Sequence, residues 1–436
     1  MTSDRDRIVA LDKRYVWHPY TSMASYIAET HPLVIERASG SRLYDADGRS
    51  YLDANSSWWC AVLGHDHPRL LAAIREQSER MAHVPLAGIA HAPAAELAQA
   101  LIARTPGGLA RVFYSDDGST SVEVALKLCL QYWHQNGRPE RRRFVALDGA
   151  FHGETLGATA IGGVELFRRP FAAVTLECLR VPPEPSGYDQ AFAALSTLLE
   201  REGDGIAAVV LEPVLQGAAG MRMYDPGLLR AARELTQRHD IFLILDEVFT
   251  GFGRTGPFWA SEHAGVAPDL LCTAKGLSGG LLPFAATLVS QRLFDGFLGG
   301  PERAFFYGHT FCGNPLAARV ALEVLRVYDD ERILEQAAPK ALAVAACFAR
   351  LGQLNGVART RSLGMVGALD LAGGEGYLAA RGQRVYAAAL ARGAYLRPLG
   401  NTVYVAPPLN IPADDLSELL TIVEEAVSEV TSASAG

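Results

Sequence analysis

Four rhythms of apolar and polar residues follow one another along the chain. Asp4 to Arg14 predicts a short charged helix, and Trp17 to Met23, aromatic and hydroxyl-rich around Pro19, predicts a packed loop that anchors the N-terminal arm. From Leu33 to Asp53 apolar and polar residues alternate about Ala46-Asp47-Gly48, the pattern of antiparallel strands joined by an Asp-Gly turn. From about Pro93 helical periodicity alternates with short continuous apolar runs, which predicts an α/β doubly wound, mostly parallel sheet. The predicted helices there are Ala94–Thr105, Val122–His134, Pro226–His239 and Leu316 to about Val327. The predicted strands are Arg111–Ser115, Phe144–Leu147, Ile206–Leu211, Ile241–Leu245, Asp269–Ala274 and Ala285–Ser290. Continuous apolar runs of this length mean strands buried on both faces.

Beyond about Asp330 the rhythm changes again. An alanine-rich helix, strands near Val357 to Leu371, a helix Arg381–Arg392, a strand pair around Arg397–Tyr404 and a helix Leu416–Val430 predict a smaller α+β unit, with Thr431–Gly436 as a frayed tail. The expected division is an arm and meander at residues 1–60 packing with the small domain, a large domain at 61–328, and the C-terminal small domain at 329–436.

Charge and cysteine usage narrow the function classes. A formal charge of −8 gives a surface that repels a phosphate backbone, and the only dense basic cluster, Arg141-Arg-Arg143, reads as a solvated loop, so nucleic acid is not an expected partner. The 6 cysteines stand singly, without metal spacing, as in a reduced compartment. The first residues lack the apolar stretch of a secretory signal, and no run approaches the ~20 apolar residues that span a bilayer. The expectation is a cytoplasmic protein. Gly64-His-Asp-His-Pro68 has two histidines but no third ligand nearby and reads as a helix start, so no metal is expected.

Chemistry concentrates where the buried strands end. Ile241–Leu245 delivers Asp246 and Glu247, and Asp269–Ala274 delivers Lys275 before the glycines Gly276, Gly279 and Gly280. Parallel sheets carry their ligands at the carboxyl ends of strands. Asp116-Asp-Gly-Ser-Thr120, between a strand and a helix, offers free N–H groups and a positive helix end to an anion, with Gly118 and Ser119 as the contacts. Taken singly these residues also fit a structural ion pair and an ordinary turn.

The wording LDEVFTGFGRTG (Leu245–Gly256), followed by AKGLSGG (Ala274–Gly280), resembles the class III, or ω-amino-acid, aminotransferases, which are fold-type I enzymes dependent on pyridoxal phosphate; the resemblance runs from Trp17 to about Pro408. It implies that Lys275 attaches the pyridoxal 5'-phosphate and shuttles the proton, and that Asp246 opposes the ring nitrogen. It also implies that Gly118 and Ser119 hold the phosphate, and that Phe151, where many relatives have tyrosine, stacks on the ring. In such relatives the threonine corresponding to Thr310 reaches the other subunit's cofactor, which implies a homodimer with shared sites; Gly308 beside it is expected among the substrate contacts, and the role of His309 is open.

The segments Trp17-His-Pro-Tyr-Thr, Ser57-Trp-Trp-Cys, Leu130–Trp133 and Arg397–Tyr404 further resemble the branch of that family that aminates 8-amino-7-oxononanoate in biotin biosynthesis, mostly with S-adenosylmethionine as donor and in some members with lysine. A long acceptor with a terminal carboxylate needs an apolar channel and one cation. Trp58 and Trp59 would supply the wall, Arg397 the cation, and Tyr20 and Tyr404 aromatic area with a polar tip. Two alternatives stand beside this reading. One is a transaminase using lysine, ornithine, 4-aminobutyrate or another ω-amine; the other is a binding module that kept the fold without catalysis, against which the intact Lys275 and Asp246 argue.

Overall fold

The computed structural model describes residues 4–182, 188–374 and 376–432. Its centre is a seven-stranded sheet in the order Leu109–Ser115, Ala285–Ser290, Leu270–Thr273, Phe242–Asp246, Ile206–Leu211, Arg143–Leu147, Cys178–Val181. Only Ala285–Ser290 runs against its neighbours; the others are parallel. Strands 206–211, 242–246, 270–273 and 285–290 are buried at every position, as their unbroken apolar runs require. Val209, Leu211, Leu243 and Leu245 pack under the helices Tyr188–Glu202 and Gly227–Arg238. Ala208, Val210, Phe242 and Ile244 face the opposite way, onto the helix Gly118–Gln135. The sheet is therefore covered on both sides, and its carboxyl-terminal edge is left for the site.

The meander forms three antiparallel strands, Ile35–Ser39, Arg42–Asp45 and Ser50–Asp53. The last pairs in parallel with Ala394–Tyr395, and Arg42 forms a 2.7 Å ion pair with Asp415, so the first residues of the chain are tied to the last. A second small sheet joins Val357–Leu363, Val366–Leu371 and Thr402–Val405.

Several expectations shift. The helix predicted from Val122 starts at Gly118, because Asp117 accepts the Thr120 N–H at 2.9 Å while Thr120 Oγ1 accepts the Asp117 N–H at 3.2 Å, a capping box ahead of the apolar periodicity. The strand pair around Arg397–Tyr404 is reduced to Thr402–Val405, since Pro398 has no N–H to give a ladder and Gly400 turns at φ +58°. Arg397 thus sits in a loop. The segment after Met23 is a helix, Met23–Glu29, and the C-terminal helix runs Ala413–Ser432, so the expected tail loses two residues to it while 433–436 lie outside the described residues. No helix among the described residues is long and apolar enough to cross a membrane.

Candidate active site

Two adjoining cavities open at the carboxyl ends of the strands. The inner one, about 190 Å³, is lined by Lys275, Asp246, His152, Phe151, Gly118 and Ser119, among others. The outer, about 1100 Å³, contains Tyr20, Trp58, Glu154, Tyr377 and Arg397. Trp59, Ser119, Phe151, Ala218 and Lys275 line both.

Asp246 ends strand 242–246 and Lys275 follows strand 270–273, which pairs with it in register. Lys275 is held at φ +34°, a left-handed conformation that a residue with a Cβ rarely adopts and that clusters at functional sites. Burial pushes its amine below the ordinary lysine range, against the opposing pull of Asp246 and other anions. Among the described residues its Nζ makes no hydrogen bond; its neighbour is the Trp59 ring, 5.2 Å away at the centroid. The second carboxylate of the pair, Glu247, does not face the cavity. It turns into the loop and accepts from the Thr250 hydroxyl at 2.7 Å and the Ala260 and Ser261 N–H groups at 3.0 and 2.8 Å.

Asp246 is oriented by two donors, His152 Nδ1 to Oδ2 at 2.7 Å and the Val248 N–H to Oδ1 at 3.1 Å. Burial alone would lower the His152 imidazole, but the hydrogen bond and charge of Asp246, helped by Glu212, outweigh it and raise it. Burial also pushes Glu212 up to about 7; its two oxygens accept the N–H groups of Phe151 and Gly217 at 2.9 and 3.0 Å. His152 was not among the residues expected from sequence, because its partner lies 94 positions away and nothing local signals the pair. A raised imidazole contributes stability that is fully present below the ordinary value of 6.5 and is lost as pH climbs through the folded-state value. His152→Gln should therefore destabilise the protein by about 2 kcal/mol at pH 6, with the difference shrinking at pH 9; urea unfolding at the two pH values measures it.

The cradle for an anion is built at the start of helix 118–135. Thr120 N–H is taken by Asp117, leaving the N–H groups of Gly118 and Ser119 without an acceptor among the described residues. A Cβ on Gly118 would stand 2.6 Å from Val248 Cγ1, and one on Gly153, at φ +124°, would collide with Ser119. Backbone can thus approach closely only because these positions are glycine. His152 Nε2 is buried without a partner among the described residues. A free amine, a carboxylate paired with a buried imidazole, an aromatic ring and an N–H cradle around one cavity fit pyridoxal phosphate.

The outer cavity owes its wall to an unusual turn. Ser56 to Trp59 all have positive φ, each at an intrinsic disadvantage of roughly 1–2 kcal/mol. The left-handed turn directs Trp59, 5% exposed, toward Lys275 and leaves Trp58, 36% exposed, facing the outer cavity. Arg397 lies over Trp58, 3.3 Å from guanidinium carbon to ring centroid, and has no acidic partner among the described residues. Tyr20 contacts Trp58 edge-on at 5.5 Å and donates to Glu154 Oε1 at 2.6 Å. Tyr404 is placed differently from the expectation: it is 1% exposed, absent from both cavity walls, and accepts the Trp59 indole N–H at 3.1 Å from behind. Gly308 and Thr310 also lie outside both cavities, on an exposed segment with Phe306 and Phe311. His309 Nε2 approaches Asp116 to 3.3 Å.

Comparison with known proteins gives this geometry a context. Residues 24–427 match the family described as Aminotransferase class-III. The chain is similar to the adenosylmethionine-8-amino-7-oxononanoate aminotransferase of Nitratidesulfovibrio vulgaris, at 42% identity over 98% of this chain and 82% of that one. The crystal structure of the enzyme of that name from Methanocaldococcus jannaschii superposes with a TM-score of 0.94 at 34% identity, covering 98% of this chain and 99% of that one. An (S)-enantioselective omega-transaminase from Thermomicrobium roseum superposes with a TM-score of 0.92 at 32% identity, covering 99% and 100%. Backbone shape is common to enzymes of different names, so substrate choice has to be argued from side chains.

Proposed function

The chain belongs to the class III aminotransferases, which depend on pyridoxal 5'-phosphate, and from that premise we propose that it transfers the amino group of S-adenosylmethionine to the ketone of 8-amino-7-oxononanoate, giving 7,8-diaminononanoate in biotin biosynthesis. The observation that carries the acceptor is Arg397, a guanidinium without an acidic partner among the described residues, in an aromatic cavity that Lys275 also lines. Such a cation suits the remote carboxylate, and Trp58, Trp59 and Tyr20 suit the methylene chain. The similarity to relatives bearing that enzyme's name supports the same choice.

Bound pyridoxal phosphate supplies an aldehyde that takes up the amino group and a ring that withdraws electrons from the neighbouring carbon. The chain's own residues do the rest in this reading. Lys275 is the point of attachment, and its Nζ takes the proton from the amine-bearing carbon of the donor and delivers one to the ketone carbon of the acceptor. Asp246, oriented by His152 and the Val248 N–H, would oppose the ring nitrogen. Gly118 and Ser119 would hold the phosphate, and Phe151 would restrict the ring. Tyr404 acts through Trp59, whose indole N–H its hydroxyl oxygen accepts.

Thr310 and Gly308 enter the reading only with a second copy. In a homodimer with shared sites, Thr310 of the partner subunit would add a phosphate contact and Gly308 of the partner subunit would border the substrate, and the exposed Phe306 and Phe311 beside them would be covered. Sedimentation at the monomer mass would remove this part. Residues 61–328 are read as the large domain and 1–60 with 329–436 as the small one, which the pairing of Leu52–Asp53 with Ala394–Tyr395 supports. The cytoplasm is the proposed compartment, which the free cysteines support.

A half-reaction spectrum tests the assignment. Mixing the cofactor-loaded protein with S-adenosylmethionine should remove the cofactor's visible band, and 8-amino-7-oxononanoate should restore it. Loss of the band with lysine instead would change the donor. Loss only with a simple ω-amine, without return, would overturn the substrate pair.

A further inference from the structure

Ser56, Ser57, Trp58 and Trp59 have φ of 49°, 45°, 65° and 77°, a left-handed turn made of four residues that each carry a Cβ. Such residues visit this region singly, so a run of four has to be held from outside. The turn closes on its own backbone, with the Trp59 and Cys60 N–H groups donating to the carbonyls of Asn55 and Ser56 at 2.7 and 3.0 Å. Asp53 anchors it, beside the Ser56 hydroxyl that donates to the Ala406 carbonyl at 2.7 Å. This carboxylate is 1% exposed and accepts the Ser57 N–H at 2.6 Å, the Ser57 hydroxyl at 2.9 Å and the Asn55 N–H at 3.2 Å, with His65 Nε2 at 3.0 Å. Four donors converge on one side chain, and none of them touches either cavity through it.

What the turn produces is a spacing. One of its residues, Trp58, lies under the Arg397 guanidinium at 3.3 Å; the next, Trp59, lies 5.2 Å from Lys275 Nζ. The reacting amine and the cation for a carboxylate are thus referenced to consecutive side chains. In an extended or right-handed segment these rings would leave in other directions, and the wall between the two charges would change length.

We infer that Asp53, by holding this left-handed turn, is the positioning residue that sets the distance between the amine end and the carboxylate end of the acceptor site, and hence the acceptor chain length that fits. The inference rests on the acceptor reading given above. Asp53→Asn is the informative change, because the amide presents an N–H where either Ser57 or Asn55 needs an acceptor.

The experiment has two readouts in the cofactor-loaded protein. First, kcat/KM is measured for 8-amino-7-oxononanoate and for homologues one methylene shorter and longer. Asp53→Asn should lower the value for the nine-carbon acceptor by about 100-fold, the scale of an ångström's misplacement. It should also shrink a wild-type discrimination of roughly 10- to 200-fold per methylene to a few-fold. Second, 5-fluorotryptophan resonances of residues 58 and 59, assigned with Trp58→Phe and Trp59→Phe, should move in Asp53→Asn. They should return in Asp53→Asn/Ser57→Gly, because glycine takes the left-handed region without strain. Unmoved resonances with unchanged discrimination overturn the inference. A wild-type protein that ignores all three acceptors overturns the acceptor reading instead, and the fluorine resonances still judge Asp53. Should Asp53→Asn not fold, His65→Gln removes one of the four contacts and should move the Trp58 resonance; an unmoved resonance there counts against the inference.

Discussion

Replacing Lys275 by alanine is expected to lower turnover by at least about four orders of magnitude, the combined scale of a lost covalent attachment and a lost proton shuttle. Of the residues that line both cavities, Lys275 alone carries an ionisable group. Its amine is desolvated and makes no hydrogen bond among the described residues, so burial holds it below the ordinary lysine range and enlarges the neutral fraction at a given pH. Once the donor has displaced it from the cofactor, the freed amine must be neutral to abstract a proton, and burial favours that form. The fold should survive, since alanine at φ +34° meets the same backbone strain and the lost contact is a single face of Trp59. The variant should keep its circular dichroism and urea midpoint, and added methylamine should recover part of the rate if the missing function is proton transfer. Full activity in Lys275→Ala would sink the catalytic assignment.

How much of this was legible in the sequence depended on the range of the forces involved. The strands ending in Asp246 and Lys275 could be read directly, because unbroken apolar runs predict strands buried on both faces and the charges stand at their ends. The start of helix 118–135 was also encoded locally, in the Asp117–Thr120 capping box, but apolar periodicity begins only at Val122 and pulled the expected boundary inward. Arg397 was expected in a strand pair, but Pro398 and Gly400 forbid a ladder there, and the backbone constraint prevailed. His152 and the turn at Ser56–Trp59 were illegible for a different reason. His152 is defined by a carboxylate 94 residues away, and Ser-Ser-Trp-Trp has no left-handed preference of its own. Its hand comes from Asp53 and from the Ser56 hydroxyl bonding the Ala406 carbonyl at 2.7 Å, a contact 350 residues long. Such features exist only once the sheets have assembled.

Arg397→Met should weaken use of the acceptor by about 2–3 kcal/mol, or roughly 30- to 150-fold in kcat/KM, the worth of hydrogen bonds between charged partners. The guanidinium has no acidic partner to release among the described residues, so the loss is not offset by freeing a carboxylate elsewhere. Methionine would still pack on the Trp58 face that the guanidinium now covers at 3.3 Å, which separates the charge from the apolar contact. A thermodynamic cycle completes the argument. The methyl ester of the acceptor should be about as poor a substrate for the wild-type protein as the free acid is for Arg397→Met, roughly 30- to 150-fold down in each case, and the ester should lose almost nothing further in the variant. Arg397→Lys should recover only part of the difference, because an ammonium lacks the planar fork that meets a carboxylate with two parallel bonds. If the wild-type protein used ester and acid equally, Arg397 would not be reading a carboxylate. The acceptor would then have to be sought among neutral ketones, with Lys275, Asp246 and their cavity unchanged.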